Sequence, residues 1–165
     1  HVSRKEVKYS IYLVNDLKTI NAWTHSGGYI YITKALLDQV ESDDELTFII
    51  AHEVAHHENH HCDKALKRIK AATQLSRDRQ LGSIIYGLMQ YVFAGFDQHQ
   101  EIESDLGAVY LTYEAGLNPA LGQMFFERLS KKENINDFGR LFNSHPYSKD
   151  RQLCVQEYLI SSVVD

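Results

Sequence analysis

Two histidines four residues apart, His52 and His56, with Glu53 directly after the first, are the residues in this chain best placed to do chemistry. Residues four apart on an α-helix are offset by about 40°, so both rings project from one face and can hold the same ion. Glu53 is badly placed to be a third ligand but within reach of a water bound to that ion. Two neutral imidazoles beside a carboxylate are what zinc-assisted hydrolysis requires. A merely solvated face is the competing explanation, because His57, His60 and His61 follow closely. The setting argues against it. Ile49, Ile50, Ala51, Val54 and Ala55 surround the first two histidines, and histidines buried in apolar company need partners.

A catalytic zinc takes three protein ligands, so one is missing from the pair. The best source is Glu101-x-x-x-Asp105, whose spacing puts both carboxylates on one helical face. Glu101 is expected to coordinate, and Asp105 to accept the free ring N–H of a ligand histidine and fix its orientation. Glu103 is rotated about 160° from Asp105 and is expected to be solvated or to pair with a surface base. Taken alone, an acidic first turn is also what a helix dipole favours.

These groups need elements to carry them. Tyr9–Val14 reads as a strand, a short segment over 19–24 follows, and Ser26-Gly27-Gly28 is a turn before Tyr29–Thr33, which alternates tyrosine and isoleucine. A short helix spans Lys34–Val40. Ser42-Asp43-Asp44-Glu45 is a capping box opening a helix expected to run through the histidines to about Lys70. Leu81–Phe96 carries no charge but is shorter than the roughly 20 residues of a membrane span. It is expected either to pack on the histidine helix or to serve as a membrane- or partner-facing flap. A helix from about His99 stops at Gly116. Asn118-Pro119 opens another to about Lys132 with Leu121, Met124, Phe125 and Leu129 as its apolar stripe. Asp137–Ser144 is a loop or short helix, Ser144-His145-Pro146 a break, and a last helix covers about 148–161.

With 165 residues, 44% hydrophobic and 24% charged, the chain suits one domain, 1–165, with a real core. A net charge of −5 gives no basic footprint for nucleic acid. Cys62 and Cys154 lack metal-ligand spacing and are either a disulfide or two thiols. The chain starts at His1, as a trimmed or processed protein would, leaving any upstream signal or anchor unseen.

Asn21-Ala22-Trp23, Gly27-Gly28-Tyr29-Ile30, His52-Glu53-Val54-Ala55-His56, Glu101-Ile102-Glu103-Ser104-Asp105 and His145-Pro146 followed by Arg151 occur here in order. In these pieces the chain resembles the membrane-associated zinc endopeptidases that include the CAAX prenyl proteases, HtpX and the periplasmic BepA-like enzymes. The resemblance implies an α+β, mainly helical gluzincin domain with a small N-terminal sheet whose edge strand flanks the active-site helix. It implies one Zn2+ per chain on His52, His56 and Glu101, with Glu53 as general base. It also implies that the strand from Gly28, through Tyr29, Ile30 and Tyr31, is the sheet edge on which an extended peptide lies. In the BepA-like group the His-Pro histidine can close the open zinc position, a role that would fall to His145. His145, Tyr147 and Arg151 are the candidates for steadying the oxyanion. Thr24-His25-Ser26 and Ser104 depart from the commoner residues of the family and bear on substrate preference. The implied activity is endoproteolysis of unfolded or misassembled proteins in the cell envelope, periplasmic or membrane-associated. Two rivals stand beside it. A di-iron site would use Glu53-x-x-His56 and Glu58-x-x-His61, and a zinc-stabilised binding or chaperone-like module would not cleave at all.

Overall fold

The computed structural model describes residues 7–67, 96–131, 145 and 149–161. The expectations for 81–95, 137–144, Pro146 and Tyr147 lie outside them. Three strands, β1 (Ser10–Val14), β2 (Ala22–His25) and β3 (Tyr29–Thr33), form one sheet in the order β1-β3-β2. β1 runs parallel to β3, and β2 antiparallel to it. The β2–β3 turn works because Gly27 and Gly28 take φ values of 100° and 84°. A Cβ on Gly28 would also lie 2.6 Å from Val7 Cγ1.

The alternation in β3 decides which face is covered. Ile30 and Ile32 are buried with Ala22 and Thr24 of β2, while Tyr31 stacks between Tyr12 and Trp23 on the opposite face. The expectation that the Gly28–Thr33 strand is an edge is overturned. β3 is paired on both sides, because it inserts between the two earlier strands, and the strand packed against the histidine helix from the edge of the sheet is β2.

Helices α1 (Lys34–Leu37) and α2 (Asp43–Glu58) follow. Ser42 caps α2, its Oγ accepting from Glu45 N at 3.2 Å. The reciprocal half of the expected capping box is absent. The Glu45 carboxylate instead accepts from Glu41 N and pairs with Arg128. The expected helix to Lys70 also breaks early. At Asn59 and His60 the chain turns, His60 taking φ 58°, and a separate helix α3 covers residues 61–67. A polar Asn-His pair is a natural stop there, since Asn59 N still bonds Ala55 O and His60 N bonds His57 O.

Helix α4 (Gln98–Glu114) opens with a complete capping box, Asp97 with Gln100. It lies along α2, and Gly107 allows the approach: a Cβ there would meet Ala55 Cβ at 2.7 Å. The helix expected after Asn118 is two pieces, α5 (Pro119–Gly122) and α6 (Met124–Ser130). The break at Gln123 resets the helical phase. Phe125, Phe126 and Leu129 are therefore buried, while Leu121 and Met124, expected in the stripe, are exposed. Helix α7 (Lys149–Ser161) closes the described chain against α4. No helix among the described residues is long and apolar enough to cross a membrane. Cys62 and Cys154 are free thiols.

Candidate active site

Helix α2 carries His52 and His56 into the interior, both essentially fully buried, with their Nε2 atoms 3.0 Å apart. The first turn of α4 brings in Glu101, its Oε2 3.4 Å from His52 Nε2 and its Oε1 3.3 Å from His56 Nε2. His145 completes the group, with Nδ1 3.2 Å from His52 Nε2 and 3.1 Å from Glu101 Oε1. One ligand-type atom from each of these four residues falls within a 4.8 Å cluster.

Donor chemistry and spacing both fit a zinc ion. Zinc bonds nitrogen and oxygen at roughly 2.0–2.1 Å, and the corners of such a tetrahedron lie roughly 3.3–3.4 Å apart. The separations given above, 3.0 to 3.4 Å, lie at or slightly below that edge length, with Glu101 turning Oε2 toward His52 and Oε1 toward His56 and His145. Two imidazole nitrogens at 3.0 Å in a dry interior need a proton or a cation between them.

Supporting contacts fix each arm. Asp105, one turn beyond Glu101, has Oδ1 2.9 Å from His52 Nδ1, off the line of a linear hydrogen bond. Arg151 of α7 donates from Nε and Nη2 to Asp105, each at 2.7 Å, and places Nη1 2.8 Å from Glu101 Oε2. Arg151 is thereby buried and committed to two carboxylates. The expectation that it touches substrate or steadies an oxyanion is overturned, because its fork faces inward. Glu53 is buried, with Oε1 3.3 Å from His145 Nε2 and Oε2 unpartnered among the described residues.

The electrostatics follow the geometry of these side chains. Burial opposes charge on His52, but Asp105 and Glu101 outweigh it and push its pKa up to about 10. Burial holds His56 well below the ordinary histidine value, against the pull of Glu101. For Glu101 burial favours protonation, yet His145, His52 and His56 together hold it well below the usual carboxylate range. Burial raises the Glu53 carboxyl, with His145 and His52 opposing and Glu101 adding to the rise.

Three residues make contacts at the site that the sequence did not assign to them. His61, fully buried, lies against His56, Nδ1 to Nδ1 at 3.0 Å. The Phe96 ring stacks on His56 with centroids 3.8 Å apart. Tyr9 contacts His57 Nδ1 at 3.1 Å and donates to Glu58, while Gly27 N–H donates to His57 Nε2 at 3.2 Å. His57 thus ties the β2–β3 turn to α2 and is not a ligand. The sequence places His61 only in the rival Glu58-x-x-His61 pair. Glu103, expected to be solvated or paired with a surface base, accepts from this buried histidine, Oε2 to Nε2 at 3.0 Å. The di-iron arrangement is not assembled. Glu58 is engaged by Tyr9, and His61 meets the wrong nitrogen of His56 to share its ion.

Comparison with known proteins agrees with this site. The mitochondrial metalloendopeptidase OMA1 of Schizosaccharomyces pombe (strain 972 / ATCC 24843) is 26% identical over 165 residues, covering 93% of this chain and 48% of its own length. The beta-barrel assembly-enhancing protease of Yersinia pestis is 23% identical over 160 residues, covering 87% of this chain and 33% of that protein. Its counterpart in Escherichia coli (strain K12) is 23% identical over 145 residues, covering 78% and 30%. The chain spans less than half the length of these relatives. Peptidase family M48 matches residues 1–158, so the chain belongs to that family, with an α+β fold and a buried His-His-Glu-His group that could hold a metal ion.

Proposed function

We propose that residues 1–165 form a single catalytic domain that hydrolyses internal peptide bonds, with His52, His56 and Glu101 holding one zinc ion and Glu53 as general base. The observation that carries this reading is the buried group of four ligand-type atoms within 4.8 Å beside the Glu53 carboxylate. Zinc in such a site supplies Lewis-acid polarisation of the scissile carbonyl and lowers the pKa of water toward about 7. Glu53, raised by burial, is suited to take a proton from the attacking water and return it to the departing amine. Asp105 holds His52 by its outer nitrogen, and Arg151 holds Asp105 and Glu101 in place.

An extended peptide would pair with β2 instead of β3. β2 packs on α2 and has no strand on its other side among the described residues. Trp23 and His25 project from one of its faces and Ala22 and Thr24 from the other, which suits recognition by alternate side chains.

His145 has a second assignment. Its Nδ1 stands at the corner that a substrate or water would need, which supports a resting form closed by His145. His145→Ala is expected to raise the basal rate, and a rate unchanged or lower would refute closure. The names of the relatives, one mitochondrial and others concerned with β-barrel assembly, support unfolded or misassembled membrane-compartment proteins as substrates. The test of the activity is cleavage of an unfolded protein such as casein. It should stop with a chelator and return on adding zinc. Cleavage indifferent to chelator, or none from zinc-loaded protein freed of His145, would refute the reading.

A further inference from the structure

His61 is fully buried behind His56, and both of its ring nitrogens are engaged. Nδ1 lies 3.0 Å from His56 Nδ1, and Nε2 lies 3.0 Å from Glu103 Oε2. Two ring nitrogens at that separation share one proton, so one donates and the other accepts. We propose that His61 is a positioning residue, passing the charge of Glu103 to His56 and thereby setting the tautomer, orientation and basicity of a zinc ligand.

The inference rests on the reading in which His56 binds zinc through Nε2, and that reading fixes every proton in the chain. With Nε2 of His56 given to the ion, its proton sits on Nδ1 and is donated to His61 Nδ1. The proton of His61 then sits on Nε2 and is donated to the Glu103 carboxylate. The donations run in one direction from site to surface, for His61 is not exposed at all and Glu103 is 59% exposed.

The fold explains why an intermediary is needed on this side. His52 meets its carboxylate directly, since Asp105 shares a face of α4 with Glu101. Glu103 is rotated off that face and cannot reach His56. The chain reversal at His60, with φ 58°, drops His61 into the gap. Phe96 covers the outer face of the pair, stacked on His56 at 3.8 Å and 5.8 Å from the His61 ring. One ligand is thus supported by a carboxylate and the other by a histidine with a carboxylate behind it.

Outer partners of metal-bound histidines are typically worth 10–100-fold in metal affinity, roughly the loss expected for His61→Leu in competition with a chromophoric chelator. Glu103→Gln should lose about tenfold, with its metal-free form still folded, because that side chain is largely exposed and a glutamine oxygen can still accept from His61 Nε2. His61→Gln, whose amide oxygen can accept from His56, should bind zinc more tightly than His61→Leu. Long-range 1H–15N correlation spectra of the zinc-loaded parent should show His61 neutral with its proton on Nε2. Folded His61→Leu and Glu103→Gln proteins that bind zinc as the parent does, or a His61 proton on Nδ1, would overturn the proposal. If His61→Leu fails to fold, Glu103→Gln and the spectra decide it. His56→Ala separates the two claims. Zinc retained there means the ligand reading fails, whereas zinc lost there but kept undiminished in Glu103→Gln sinks the relay alone.

Discussion

Replacing Arg151 by methionine tests how the two carboxylates of the site are tolerated in a dry interior. Arg151 makes contacts of 2.7, 2.7 and 2.8 Å to Asp105 and Glu101, and its side chain is 4% exposed. Methionine fills much of the volume but removes the cation, leaving Glu101 and Asp105 to be neutralised by the histidines alone. Removing one partner of a buried ion pair costs about 3–5 kcal/mol. For a domain of this size each kcal/mol moves the melting temperature by roughly 2–4 °C, so the metal-free variant should melt roughly 6–20 °C below the parent. Zinc at about 100 times its dissociation constant adds about 2.7 kcal/mol to the parent, and the variant should gain less because Glu101 has lost its anchor. Arg151→Lys keeps the charge without the fork and should fall between. The assay is thermal unfolding by circular dichroism, with and without zinc. A methionine variant melting within about 2 °C of the parent in both conditions would refute the assignment of Arg151 as the brace of the site.

Metal binding should release protons. At pH 7.5 His52 is protonated in the metal-free protein, its pKa being about 10, whereas a zinc ligand must be neutral. Calorimetry in buffers of different ionisation enthalpy should show at least one proton released per zinc, and none would contradict it. The same raised value means that charged His52 stabilises the metal-free fold fully below about pH 6.5, a contribution lost as pH climbs through about 10. Glu45, buried against Arg128, has its carboxyl lowered by that guanidinium despite burial. Its stabilisation is present above the ordinary 4.5 and lost as pH falls through the depressed value. Glu45→Gln should therefore cost about 1–3 kcal/mol at pH 7, from a charged hydrogen bond lost, and the gap to the parent in melting temperature should close in acid. A gap that widens in acid refutes the pairing. Gly107→Ala should destabilise by about 1–3 kcal/mol although alanine is the better helix former, because its Cβ would sit 2.7 Å from Ala55 Cβ. Ala55→Gly in the same chain should restore most of the loss, and additive losses would show that the α2–α4 approach is not the cause.

What could be read from the residue order was whatever depends on short spacings. His52 with His56, and Glu101 with Asp105, needed only helical geometry, and the structure brings all four side chains together. The alternation in Tyr29–Thr33 likewise revealed its covered face. Expectations failed where long-range placement decides. That β3 is central depends on β1 pairing with it in parallel across the intervening β2, which no local pattern records. Arg151 was expected at the oxyanion, and only packing of α7 against α4 turns it onto Asp105 and Glu101 instead. His61 looked like the tail of a long helix. One residue at positive φ, His60, moved it from that surface to the back of the site. The Gln123 break had the opposite effect on Leu121 and Met124, which local periodicity placed in the core and which are exposed.

The account stands or falls on Glu53 acting beside a zinc ion that it does not bind. Purified Glu53→Gln, assayed for metal content and for cleavage of an unfolded protein, measures both halves at once. It should keep one zinc per chain, lost in His56→Ala, while peptide hydrolysis drops by about 10²-fold or more. Cleavage at the parent's rate in the glutamine variant, or loss of its zinc, would contradict the account.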